Sequence, residues 1–124
     1  MGEVESKSEQ QQLASGARVE WQRLKDAFKQ YCCAINKISH KHGFECEDLD
    51  AYRFRINRGS DATTILSLIF DPTTPRVLFR QAHSAHDELG FKLVGTQAML
   101  MNGSSGVVIP EFVAHFLMQA LRQS

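Results

Sequence analysis

Apolar residues in the first third of the chain recur with a helical period. Ala14, Ala17, Trp21, Leu24, Phe28, Tyr31, Ile35 and Ile38 alternate spacings of three and four, which aligns them along one side of a 3.6-residue helix. The pattern predicts one long amphipathic helix over 14–42, with Gln22, Asp26, Lys29, Asn36 and His40 on its polar side and Gly43 as a left-handed stop. Residues 1–12 differ, forming a polar run with Ser6, Ser8 and three consecutive glutamines. With almost nothing to bury, such a run does not offset its ordering entropy. A disordered tail is expected over 1–12, and a single α+β domain over 13–124.

Beyond an acidic connector (Glu45, Glu47, Asp48, Asp50) the period changes to two. Tyr52, Phe54 and Ile56 alternate with Arg53, Arg55 and Asn57, the mark of a half-buried strand. Thr63 to Phe70 and Arg76 to Gln81 read as further strands, separated by the break Asp71-Pro72-Thr73-Thr74-Pro75. Leu89 to Val94 and Gln97 to Met101 flank Gly95-Thr96, a two-residue connection suited to a tight hairpin. Asn102 to Gly106 closes the strand region. Pro110 then starts a second amphipathic helix carrying Val113, Phe116, Leu117, Ala120 and Leu121. The connections are too short for parallel crossovers, so the expected α+β fold is a long N-terminal helix, a meander of about five antiparallel strands and a C-terminal helix, with both helices on one sheet face.

At 124 residues the chain suits one core, and its eight phenylalanines supply the bulk for it. Lys+Arg and Asp+Glu are equal at 14 each, so no whole-molecule field gathers nucleic acid or an anionic membrane surface. No uncharged apolar run nears the roughly 18 residues of a spanning helix. The first residues lack the charged-then-apolar order of a secretory signal. The three cysteines are odd in number and two are adjacent, Cys32 and Cys33, which points to a reducing, cytoplasmic setting.

The chemistry-bearing groups form no coherent catalytic set. Asn102 to Gly106 is glycine-rich but lacks the Lys-Ser/Thr pair of a phosphate loop, and it misses the nucleophile-elbow spacing by one residue. His83-Ser84-Ala85-His86-Asp87-Glu88 sets two imidazoles beside two carboxylates, a weak hint of a metal-dependent or acid–base enzyme. A zinc protease helix needs its histidines at i and i+4, so a hydrophilic loop is the preferred reading. His40 and His42 read as residues of the helix C-terminus. Cys32 reads as packing, and Cys46 sits among acids expected to raise its pKa. No cofactor, no metal and no catalytic residue is expected.

The second face of the strands is the most informative feature. It carries Arg53, Arg55, Ile65, Ile69, Leu78 and Arg80, neither cleanly polar nor cleanly apolar. Such a mixture suits a surface that meets a partner, although arginine stems lying over β-branched residues of a solvated strand produce the same pattern. The expectation is a non-enzymatic binding or assembly module that forms a homodimer through this face, its arginines finding carboxylates in the Glu45–Asp50 connector. Another protein partner is one alternative. A carrier with a pocket for a small apolar ligand between sheet and helices is the other. Binding of single-stranded RNA is disfavoured because Tyr52 and Phe54 alternate away from the arginines. The seam of the first helix has coiled-coil spacing too, but a meander with two helices needs that seam as its cover.

Overall fold

The computed structural model describes residues 2–38, 43–59, 63–81 and 87–123, the side chains of 2–8 and 121–123 excepted. Helix α1 (Gly2–Ile38) precedes strands β1 (Phe44–Asp50), β2 (Arg53–Arg58), β3 (Thr64–Asp71), β4 (Arg76–Gln81), β5 (Asp87–Val94), β6 (Gln97–Asn102) and β7 (Ser105–Gly106), and helix α2 (Ile109–Gln123) follows them. The seven strands make one antiparallel sheet in chain order. The α+β class is as the periodicity predicts, and the strand count is not.

The additional strands are β1 and β7, and each was hidden for a physical reason. Four of the seven residues of β1 are acidic, a composition that strands usually avoid. Three of those acids meet a cation in the fold, Glu47 with Arg55, Asp48 with Lys25 and Lys29, and Asp50 with Arg53. Cross-strand and strand–helix ion pairs thus offset a poor propensity. At the other edge β7 is only two residues long, too short for any period. It turns back from β6 at Gly103, whose φ of 62° places it in the left-handed region. Gly95 (φ 67°) does the same between β5 and β6, as the Gly95-Thr96 pair predicts. The Asp71–Pro75 break is a turn in which the Asp71 carboxylate accepts from the Thr73 amide at 3.0 Å and the Thr74 hydroxyl at 2.8 Å.

Helix α1 differs from its prediction in its first residue and in the conformation of Gly43. It begins at Gly2 rather than near Ala14. Glutamate, lysine and glutamine are good helix formers that extend a helix already nucleated by packing, and Glu9 to Gln12 remain exposed. At the other end the described part of α1 reaches Ile38, and Gly43 does not adopt the left-handed conformation of a helix stop.

From β6 to β1 the helix lies obliquely over one face of the sheet. Gly16 meets Ala98 of β6 so closely that a Cβ on it would stand 2.7 Å from the Ala98 Cβ. Trp21 stacks on Phe70 of β3 with ring centroids 5.6 Å apart, Phe28 packs on Phe54 of β2, and Asn36 reaches Phe44 of β1. The rings of Phe112 and Phe116 on α2 meet Phe79 of β4, at 6.1 and 5.3 Å. A single hydrophobic cluster joins both helices to the sheet through buried Leu24, Phe28, Phe54, Leu68, Val77, Leu89, Leu100, Val113 and Leu117. No helix among the described residues is long and apolar enough to cross a membrane.

Candidate functional site

The sheet face turned away from the helices holds most of the residues singled out by the alternation pattern. Antiparallel register sets Arg53, Ile69, Leu78 and Glu88 side by side across β2 to β5, and Arg55, Ser67 and Arg80 side by side in a neighbouring row. Ile69 is 43% exposed at the centre of the first row and Leu78 is half-buried beside it. Ile65 behaves differently. The register shifts between Ile56 and Asn57 on β2, so that Asn57 pairs with Thr64 and Ile65 becomes the extra residue of a bulge. It is half-buried and packs against the core cluster, which removes it from the face that strict alternation assigns it.

Three arginines on this face, Arg53, Arg55 and Arg76, are already paired within the chain. Arg53 Nε donates to Asp50 Oδ2 at 2.8 Å, and Arg55 donates to Glu47 Oε2 at 2.7 Å through Nε and through Nη2. Arg76 bridges Asp71 at 3.3 Å and Glu88 at 3.0 Å. The acidic segment does supply carboxylates to Arg53 and Arg55, but from the adjacent strand of the same molecule rather than across an interface. Arg80 is exposed and makes no ion pair among the described residues. The Asp50 carboxyl is held below its usual range by the Tyr52 amide first and then by Arg53. Asp71 is lowered by the Thr74 hydroxyl, the Thr73 amide and Arg76.

A second constellation, missed by the sequence reading, lies where α1 meets β1. Asn36 donates from Nδ2 to the Phe44 carbonyl at 2.8 Å and accepts from the Phe44 amide at 2.7 Å. Its side chain thereby takes both outward backbone groups of an edge strand, the role a further strand would play. Lys25, nearly buried, reaches Asp48 Oδ1 at 3.2 Å, and Lys29 reaches Oδ2 at 2.6 Å. The Lys25 ammonium also lies 5.3 Å from the centre of the Trp21 ring. The two lysines pull the Asp48 carboxyl below its ordinary value, Lys29 more strongly. Asp48 in return raises Lys29.

Between these clamps the Cys32 thiol hydrogen-bonds the sulfur of Cys46. That bond, followed by burial, pushes Cys32 far above the ordinary thiol range. The same bond, with help from the Lys29 ammonium, holds Cys46 below its ordinary value in spite of burial and of Asp48. Asp48 does push Cys46 up, as its acidic surroundings suggest, but Cys32 first and the Lys29 ammonium after it outweigh that effect, so the net direction is the reverse of the expected one. When protonated, Cys46 makes a long contact of 3.9 Å to the Phe28 carbonyl. Above the pair opens a shallow groove of about 310 Å³, lined by Lys29, Cys33, Asn36 and Lys37 as well as both sulfurs. All three cysteines are free thiols. The only signal in the sequence was that Asn36, Cys32, Lys29 and Lys25 follow one another by three or four residues, a polar row beside the apolar seam.

His40, His42, His83 and His86 lie outside the described residues. Among the described residues no group of histidines, cysteines and carboxylates has the arrangement of a metal site. Comparison with known proteins finds no matching family model, no matching curated protein and no matching solved structure.

Proposed function

We propose that this protein is a non-enzymatic assembly module that pairs with a second copy of itself through the outer face of its sheet. The observation that carries this reading is Ile69, exposed at 43% between Arg53 and Leu78 on a face where no described helix packs. An apolar centre rimmed by charge is the anatomy of an interface core and its rim.

A second copy fits this face because its central row is self-complementary. It reads cation, apolar, apolar, anion in Arg53, Ile69, Leu78 and Glu88. A two-fold axis crossing the row at its midpoint sets the Arg53 end of one copy over the Glu88 end of the other. The cis pairs Arg53–Asp50 and Arg76–Glu88 then join into larger networks, so that these charges stay paired when the faces meet. A formal net charge of zero adds no long-range repulsion between copies. A carrier of small apolar ligands would keep its cargo between sheet and helices, where Trp21 packs on Phe70, Phe28 on Phe54 and Phe116 on Phe79.

Sedimentation velocity over a concentration series tests the proposal. The unmodified chain should move from monomer to dimer as concentration rises, and Ile69→Asp should hold it as monomer with an unchanged circular dichroism spectrum. A chain that stays monomeric at high micromolar concentration sinks the idea.

A further inference from the structure

The seam between α1 and β1 holds three thiols and two lysines around one groove, and the self-association of the outer face makes no use of them. Along β1, Phe44, Cys46 and Asp48 alternate toward α1, and each meets a side chain one helical step from the last. Asn36 stands at Phe44, Cys32 at Cys46, and Lys29 with Lys25 at Asp48. Strand and helix are therefore clamped on both sides of the two cysteines, so the register itself brings Cys32 and Cys46 together at the lining of one groove. Access to them is unequal. Cys32 is 2% exposed, whereas Cys46 is half-buried and lines the groove, so a small oxidant entering there reaches Cys46. Cys33 is exposed, on the neighbouring position of the helix.

We infer that Cys46 is a peroxide-reactive thiol and Cys32 its resolving partner, so that a hydroperoxide closes a Cys32–Cys46 disulfide across the seam. In the first step a lone pair on the Cys46 sulfur attacks the terminal hydroperoxide oxygen. The S–O bond forms, the O–O bond breaks, and the departing oxygen takes the Cys46 proton to leave as alcohol or water. In the second step the Cys32 sulfur attacks the sulfenic sulfur of Cys46. The S–S bond forms, the S–O bond breaks, and the hydroxyl leaves as water with the Cys32 proton. Two electrons pass from the two thiols to the hydroperoxide. The Lys29 ammonium beside Cys46 favours the thiolate that starts the sequence. The product staples the helix to the edge strand at the middle of contacts that already exist.

Peptide mapping decides the matter. The reduced full chain is treated with stoichiometric hydrogen peroxide, quenched with N-ethylmaleimide and digested for tandem mass spectrometry. Two of the three thiols should be lost to alkylation in the monomeric chain. Cys33 should be alkylated, and the peptides bearing Cys32 and Cys46 should be joined and lighter by two hydrogens. Cys33→Ser should preserve the link. Cys32→Ser, checked for folding by circular dichroism, should leave a Cys46 sulfenic acid that dimedone traps. Should that variant fail to fold, the map of the unmodified chain is sufficient alone. The inference is overturned by linkage of Cys46 to Cys33, by linkage between chains alone, or by a Cys46 sulfinic acid beside an alkylated Cys32. Survival of all three thiols under peroxide that oxidises free glutathione overturns it equally.

Discussion

The two helices are fastened to the same sheet by different chemistry. At β4, α2 is held by apolar groups, with Phe112 and Phe116 edge-on to Phe79 and Val113 and Leu117 buried in the same core. At β1, α1 is held by an amide clamp on Phe44, a thiol pair and a lysine–carboxylate bridge. The difference follows from where each contact lies. β4 is central, with neighbours on both sides to satisfy its backbone, so its helix needs only to cover apolar surface. β1 is an edge strand whose free backbone groups and acidic side chains demand polar partners, and α1 supplies them. A nonspecific seam thus sets the core, while a specific one sets where the edge strand sits.

The largest effect should come from Phe28→Ala, where the two kinds of seam share a fully buried ring. Urea unfolding should show a loss of about 3–5 kcal/mol, as for other buried phenylalanines. An effect near zero would mean that α1 does not cover the sheet. Phe116 is only half-buried, so Phe116→Ala should cost less, roughly 1.5–3 kcal/mol, most of it lost ring and area contact. Equal losses at the two positions would contradict the burial difference.

Asn36→Ala sharpens the comparison, since it removes no core volume but strips two bonds from Phe44. A loss of about 1–2 kcal/mol is expected, with faster amide exchange at Phe44 and unchanged exchange in β4. Uniformly faster exchange across the sheet would show that the clamp is not local. The smallest effect should be that of Asp48→Asn, roughly 0.5–1 kcal/mol near neutral pH, because its carboxylate is 40% exposed and screened by water. Its sign with pH is definite. Asp48 has its folded pKa lowered by Lys29 and Lys25, so its contribution is complete above the unfolded value of about 4 and is lost as pH falls through the folded one. The difference in urea midpoint between the unmodified chain and Asp48→Asn should hold constant above about pH 5 and shrink below about pH 4. A difference that grows in acid would exclude the lysine–Asp48 bridge as its source.

Legibility in the sequence was uneven for the same physical reason. Phe54, Ile56, Leu66, Leu68, Phe70, Val77 and Phe79 declared strands β2 to β4 because burial on a sheet repeats every two residues and needs no distant partner to be visible. Gly95 marked its hairpin, and Ala17, Trp21, Leu24 and Phe28 marked the sheet-facing side of α1. Beyond Phe28 the apolar row still packs on the core at Tyr31 and Ile35 and fails at Ile38. Ile38 is 84% exposed and Tyr31 and Ile35 are half-buried, while Cys32 and Asn36 face β1. Of the candidate face, Arg53, Arg55, Ile69, Leu78 and Arg80 were found by alternation, whereas Ile65 was displaced by a bulge that alternation does not reveal.

The amino-acid sequence by itself determined the class of the fold, the path of its central strands and the covering role of its helices, because those follow from periodicities of 3.6 and 2 among neighbours in the chain. Tertiary structure alone decided that an acidic connector is a strand, that Arg53 and Arg55 of the outer face are paired in cis, and that Cys46 is held below its ordinary pKa. Each of these depends on a charge or a backbone group brought from elsewhere, as Lys25 is brought to Asp48 from 23 residues away. Coulomb and hydrogen-bond energies are set by distance in space, which local pattern does not encode.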